Sequence, residues 1–224
     1  MKTSTMFALI CITGATALSA ADTQKSFREF VDKDRREAAE FYGQKTPDKS
    51  AARIRPANWA QPIKCEGLPN LHMVSTNLYR SAQPTEEGMR NIKAKGIKTI
   101  INLREFHSDR DEIGDTDLEY VHIRMKAWNL KKKDLIQFLE VATDTNRTPV
   151  LVHCKAGADR TGAMCAMYRI VVEGRTKEEA LREMQEGGFN FHEMFGNIPK
   201  WIKETNVEEI RKELKLHPEI INAD

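Results

Sequence analysis

The sequence predicts an α/β fold with a central mixed, mostly parallel sheet flanked by helices. Two observations carry this expectation. Short apolar runs such as Thr99-Ile100-Ile101 and Val150-Leu151-Val152 alternate with amphipathic helical segments. The second of these runs passes directly into a glycine-containing loop and then an apolar helix, the strand-loop-helix order of an anion site.

The elements follow in order. Leu71–Ser75 and Asn77–Ser81 are predicted as short strands, and Pro84–Lys95 as a helix with Pro84 in its first turn and Gly96 as its stop. Lys98–Leu103 is predicted as a strand, residues 104–118 as a charged loop, and Tyr120–Met125 as a strand. Lys132–Thr143 is amphipathic, with Leu135, Phe138, Leu139 and Val141 apolar. Pro149–His153 is predicted as a buried strand and Arg160–Val172 as an apolar helix. Thr176-Lys177-Glu178-Glu179 is a capping box opening a helix to Glu186, and further helices are expected over Ile198–Glu204 and Val207–Leu214.

The 224 residues suffice for one domain with extra terminal segments, and a hydrophobic fraction of 40% supports a core. The net charge of +2 excludes the strongly basic profile of a nucleic-acid binder. Lys2, the uncharged apolar run Met6–Leu18 and the small residues Ser19, Ala20 and Ala21 give residues 1–21 the layout of a cleaved secretory signal peptide. The run is short for a bilayer span, so export without stable membrane insertion is expected, with a periplasmic or secreted location. Residues 22–62 read as a helical extension, with a helix from Ser26 to Tyr42, followed by a proline-containing linker. Residues 63–215 read as the main domain and 216–224 as a tail. After cleavage Cys65, Cys154 and Cys165 remain. Three cysteines are not a disulfide framework, and an odd thiol raises the question of a reactive cysteine.

The loop His153-Cys154-Lys155-Ala156-Gly157-Ala158-Asp159-Arg160-Thr161-Gly162 carries the chemistry. Its backbone amides and the following helix N-terminus favour an anion. The same field and Arg160 favour a Cys154 thiolate, as in other cysteines whose pKa falls to about 3.5–7.5. Arg160, six positions on, can close over the same anion with a planar fork that matches phosphate oxygens. Gly157 and Gly162 allow close backbone approach, Thr161 can place a hydroxyl near the sulfur, and His153 can orient the loop. The arrangement implies two displacements at phosphorus through a cysteinyl-phosphate. It requires neither metal nor cofactor, and His72, His107, His122, His153, His192 and His217 are scattered along the chain.

HCKAGADRTG resembles the HCxxGxxR(S/T) loop of the protein tyrosine phosphatase superfamily, nearest its dual-specificity branch and its exported bacterial members. The resemblance covers about residues 65–205. The segment Asn77-Leu78-Tyr79-Arg80-Ser81-Ala82-Gln83-Pro84 also resembles an early strand-turn element of bacterial and fungal members. The resemblance implies a protein-tyrosine-phosphatase-like fold, Cys154 as nucleophile and Arg160 as phosphate clamp. His153, Lys155, Ala156, Gly157, Ala158, Thr161 and Gly162 would contact substrate. The implied substrate is a phosphorylated protein. An inositol polyphosphate is the alternative small anionic phosphoester, and a phosphate-binding pseudoenzyme is the alternative of another class.

One departure is clear. The register in which many members carry a general-acid Asp reads His122-Ile123-Arg124-Met125-Lys126-Ala127-Trp128-Asn129, with no carboxylate. Asp159 inside the loop and Asp134 downstream are the candidates, each with a structural reading beside it. Ala158 stands where some inositol-lipid phosphatases carry a second loop lysine. Lys155 either contacts a second phosphate or a phosphoinositide headgroup or is solvated, and Lys131-Lys132-Lys133 are either a basic rim or a solvated face. Trp128 is either a pocket wall or core, Arg80 a buttress of the sheet or of the catalytic loop, and Cys165 a packing residue. Pairing of Cys65 with Cys154 would be an oxidative off-switch.

Overall fold

The computed structural model describes residues 55–215. The predicted signal peptide, the Ser26–Tyr42 helix, the linker up to residue 54 and the tail from residue 216 lie outside the described residues.

Six strands form one sheet in the order β1-β2-β3-β6-β4-β5: β1 (Gln61–Pro62), β2 (His72–Met73), β3 (Leu78–Ser81), β4 (Thr99–Asn102), β5 (Glu119–His122) and β6 (Val150–His153). The first two pairings are antiparallel, and β3, β6, β4 and β5 run parallel. The mixed, mostly parallel sheet is therefore as expected. In β6, the central strand, all four residues are buried, which is why it reads as an unbroken apolar run. The helices are α1 (Glu86–Ala94), α2 (Arg110–Ile113), α3 (Lys132–Ala142), α4 (Asp159–Val171), α5 (Lys177–Glu186), α6 (Asn197–Glu204) and α7 (Val207–Glu213).

Strand alternation divides the core. Leu78, Ile101, Val150 and Val152 face a large cluster with residues of α3 to α7. Ile100, Leu151, Tyr79 and Tyr120 face a smaller one with Met89 and Ile92 of α1 and Ile113 of α2. Helix α4 is buried on nearly every side, which explains its apolar, Met- and Ala-rich sequence. The Thr176–Glu179 capping box forms as expected. Helix α1 is capped by Thr85, whose side chain accepts from the Gly88 amide, so it starts at Glu86, two residues later than the Pro84 start predicted.

Three differences have local causes. Residues 55–62, read as an irregular linker lying against the domain surface, are instead part of the domain: Ala60 is in the core, its amide donates 2.6 Å to Glu183 Oε1, and Gln61–Pro62 adds an edge strand. Within the charged loop 104–118 a four-residue helix forms, too short to leave a periodic signal. Strand β5 ends at His122 rather than Met125. The last bond on this edge runs from the Ile123 amide to the Asn102 carbonyl. Beyond it Ile123, Met125 and Ala127 stay buried while Arg124, Lys126 and Trp128 are exposed, a period of two without a partner strand.

Candidate active site

The loop between β6 and α4 is fastened from its outer side. Three consecutive carbonyls accept bonds from other segments. Lys155 O accepts from the Gln83 amide at 3.1 Å, Ala156 O from Asn70 Nδ2 at 3.1 Å and Gly157 O from Arg80 Nη2 at 2.6 Å. A trans peptide sets each N–H opposite the preceding C=O, so the amides of residues 156–158 turn to the concave side. They face the same space as the N-terminus of α4, and together these dipoles form an anion cradle. Gly157 has φ +68°, and a Cβ there would sit 2.5 Å from the Ser81 carbonyl oxygen and 2.6 Å from the Ala82 amide nitrogen. Only glycine lets loop and β3 come this close.

Cys154 is buried at the start of the loop. Burial by itself raises its thiol pKa. The Arg160 charge, together with the Thr161 hydroxyl and amide, more than reverses this, and the net pKa lies below the ordinary thiol value even with Asp159 nearby. Thr161 Oγ1 is buried and makes no hydrogen bond of good geometry within the protein. A hydroxyl rotor so placed turns to whichever neighbour becomes charged, here the sulfur. Arg160 reaches across the loop, and its Nη1 donates to Leu103 O at 3.3 Å and Met125 O at 3.4 Å. The segments that follow β4 and β5 thus hold the guanidinium, whose charge acts on Cys154.

Behind Cys154 lies a buried polar chain. His153 is fully buried and its Nε2 is 2.7 Å from Asp109 Oδ2. Gln83 Nε2 donates to Asp109 Oδ1 at 2.9 Å, and Gln83 Oε1 accepts from Arg104 Nη1 at 3.1 Å. Burial pushes the Asp109 carboxyl up, but its bonds from His153 and Gln83, with His107 nearby, hold it below the usual carboxylate range. An ionised carboxylate only accepts, so His153 Nε2 carries the hydrogen.

The family described as a DSP-PTPase phosphatase fused to NAD+ kinase matches residues 57–197. The chain belongs to this dual-specificity-type, cysteine-dependent phosphatase family. Relatives agree. The dual specificity protein phosphatase TpbA of Pseudomonas aeruginosa strain UCBPP-PA14 is 33% identical over 164 residues, covering 73% of each chain. A crystal structure of P. aeruginosa TpbA in complex with phosphotyrosine superposes with a TM-score of 0.65 at 30% identity, covering 73% of this chain and 99% of that one. An inositol diphosphatase of Arabidopsis thaliana is 27% identical over 112 residues, 46% of this chain and 54% of its own.

As this family member builds its site, Asp159 opens α4 and is bound to His192. Its Oδ1 accepts from the His192 amide at 3.0 Å, and the His192 Nδ1 lies 3.0 and 2.9 Å from its two oxygens. This favours a tether over a proton donor. Asp134 is buried in the first turn of α3, where burial raises its pKa against the opposing effect of Lys133 and Lys131. The half-buried Lys155 and Ala156 and the buried Ala158 complete the loop, and Gly162 lies against Met184. Arg80 is the buttress expected: fully buried, with its guanidinium carbon 3.7 Å from the Phe189 ring centroid. Trp128 is 66% exposed rather than core. Lys131, Lys132 and Lys133 are exposed, with Lys132 paired to Glu209 and Glu213.

Cys165 is buried, and that burial pushes its thiol up to about 11. Cys65 and Cys154 are both free and belong to the two different core clusters. His107, Asp109 and Glu112 bring one ligand atom each within 4.8 Å of one another. His107 Nε2 already sits at hydrogen-bond distance, 3.0 Å, from Glu112 Oε1, and Asp109 is engaged by Gln83 and His153, so the trio reads as a hydrogen-bond network.

Sequence reasoning missed Asp109, Gln83 as its clamp, and His192. Gln83 did lie in the strand-turn element singled out, which was the available signal.

Proposed function

We propose that the protein hydrolyses phosphomonoesters through a cysteinyl-phosphate on Cys154, acting on phosphotyrosine and other phosphorylated residues of proteins. The observation that carries this is the buried Cys154 at the start of the loop, whose pKa the Arg160 charge and the Thr161 bonds lower against the effect of burial.

In this mechanism Cys154 Sγ attacks phosphorus and forms the S–P bond as the ester P–O bond breaks. The leaving oxygen takes a proton from Asp159, from Asp134 or, where neither donates, from water. Water then attacks phosphorus, the S–P bond breaks, and inorganic phosphate departs while the Thr161 hydroxyl stabilises the returning thiolate. The amides of residues 156–158 and the Arg160 fork take up the charge on the equatorial oxygens in both steps. His153, held by Asp109, fixes the loop. Lys155, Ala156, Gly157, Ala158 and Gly162 supply backbone. Nucleophile and charge stabilisation thus come from the chain's own groups, so the reaction needs neither metal nor cofactor.

The second reading is an inositol polyphosphate as substrate. The exposed Arg124, Lys126, Lys131 and Lys133 favour it, as does the inositol diphosphatase relative. Phosphate release from a phosphotyrosine peptide and from inositol hexakisphosphate, with Cys154→Ser as control, separates the readings. Cys154-dependent release from the peptide is expected. Release confined to the inositol phosphate would transfer the assignment. A pseudoenzyme would release phosphate no faster than Cys154→Ser.

We further infer export. Lys2, the apolar run Met6–Leu18 and the small residues Ser19 to Ala21 support a cleaved signal, and among the described residues no helix is long and apolar enough to cross a membrane. N-terminal sequencing of protein from fractionated cells tests this: a mature start at or near Asp22 is expected, and a cytoplasmic chain retaining Met1–Ala21 would contradict it.

A further inference from the structure

Three large apolar side chains stand out in solvent among the described residues: Phe106 at 78%, Met194 at 75% and Trp128 at 66% exposure. One such side chain is ordinary on a protein surface. These three come from separate segments, each bonded to the catalytic loop. Phe106 follows Leu103, whose carbonyl receives Arg160, and precedes His107, whose carbonyl is fixed by Asn102 Nδ2 at 2.8 Å. Trp128 follows Met125, whose carbonyl also receives Arg160. Met194 lies two residues beyond His192, which holds Asp159 by both backbone and ring.

The segments are also tied to one another. Lys126 Nζ pairs with Glu105 Oε1 at 3.2 Å, and Asn197 Nδ2 donates to the Ala127 carbonyl at 2.8 Å. Polar and backbone bonds on neighbouring residues therefore tie the three segments to the catalytic loop and to one another, and leave the three apolar side chains in water. The alternation along Ile123–Trp128 points Arg124, Lys126 and Trp128 outward together, with Lys126 Nζ 5.9 Å from the Trp128 ring centroid. The cations attract a phosphorylated chain, and the apolar groups offer contact area held in advance of binding. An inositol phosphate has no apolar side chain to set against Phe106, Met194 or Trp128. A protein segment has.

We propose that Phe106, Trp128 and Met194 form a specificity rim that selects phosphorylated protein segments carrying large apolar side chains beside the phosphoresidue. The inference rests on the phosphatase reading above and names the substrate class of the same site.

The test compares two phosphotyrosine peptides of equal charge and length, one with Leu and Phe flanking the phosphoresidue and one with Ser and Gly. It uses the full purified chain and a triple variant, Phe106→Ser with Trp128→Ser and Met194→Ser. The readout is the ratio of the two kcat/KM values, which a general loss of activity cancels. The wild-type chain is expected to favour the apolar peptide by about tenfold or more, and the variant to lose most of that preference. Equal turnover of the two peptides by the wild type would overturn the rim while leaving the phosphatase intact. A preference that survives in the variant would overturn it as well. Equal turnover together with binding to anionic lipid vesicles that the variant abolishes would reassign these side chains to a membrane surface. No Cys154-dependent turnover of a small aryl phosphate would instead overturn the phosphatase reading on which the rim depends.

Discussion

Arg80 donates from Nη2 to the Gly157 carbonyl at 2.6 Å, so a fully buried side chain of β3 sets the backbone of the loop that follows β6. The same guanidinium stacks on Phe189, and its charge lies near Cys154. Arg80→Met removes both the donor and the charge. Turnover of a phosphotyrosine peptide is expected to fall about 100-fold, the scale for losing a donor that shapes an oxyanion site. Arg80→Lys restores charge without the fork and is expected to recover only part. Steady-state kinetics on both variants check this, and wild-type turnover in Arg80→Met would mean that the loop holds its shape unaided.

Gly157→Ala tests the contact from the other side. The added methyl meets backbone at 2.5 Å, and the φ of +68° is strained for alanine. Gly96→Ala has a comparable φ of +91° with nothing within 4 Å, so it isolates the strain alone. Urea unfolding is expected to show a loss of about 1 kcal/mol at Gly96 and about 2–3 kcal/mol at Gly157. Equal losses would mean that the Ser81–Ala82 backbone yields freely.

The nucleophile has a signature in pH. Arg160 and Thr161 leave Cys154 below the ordinary thiol value, while burial pushes Cys165 up to about 11. Iodoacetamide at neutral pH is therefore expected to label Cys154 and spare Cys165. The midpoint of the rate against pH lies below that of a free thiol, and Arg160→Met moves it upward. Mass spectrometry of the labelled peptides checks this, with preferential labelling of Cys165 as the contrary result.

His72 links stability to pH. Burial lowers its pKa from 6.5 to about 4, against the opposing bond to the Asn70 carbonyl and with Arg80 and Arg55 adding to the drop. The folded state thus refuses a proton that the unfolded chain accepts between these values. The stabilisation is complete above the unfolded pKa and shrinks as pH falls toward the folded one. Between pH 7 and pH 4.5, His72→Gln is expected to lose about 2 kcal/mol less than the wild type. Parallel urea midpoints for the two proteins would place the acid sensitivity elsewhere.

Asp159 and Asp134 separate by leaving group. Both Asp159 oxygens are engaged by His192, so Asp159→Asn is expected to slow good and poor leaving groups alike, by about 10-fold, through loop placement. A loss confined to aryl phosphates with poor leaving groups would make Asp159 the proton donor.

The sheet and the strand-loop-helix placement of Cys154 and Arg160 were legible because they depend on neighbours in sequence. Val150–Val152 is apolar on both faces, and Cys154 to Gly162 is one continuous turn into a helix. The His153 partner was not legible. Asp109 sits in a charged loop with no periodicity, and only the parallel pairing of β4 with β6 brings that loop behind His153. His192 was hidden in the same way, beyond α5. The overlong reading of β5 arose because Ile123 and Met125 alternate with Arg124 as a strand does while packing on the core from a segment with no partner strand.

The central claim is a phosphoryl group carried on Cys154. Rapid acid quench of the enzyme during turnover of a phosphotyrosine peptide, with a chelator present, followed by peptide mass spectrometry, tests it most directly. Phosphate is expected on the Cys154 peptide in the wild type and not in Cys154→Ser, which also fails to turn over. Turnover that persists in Cys154→Ser, or phosphate found on another residue, would contradict it.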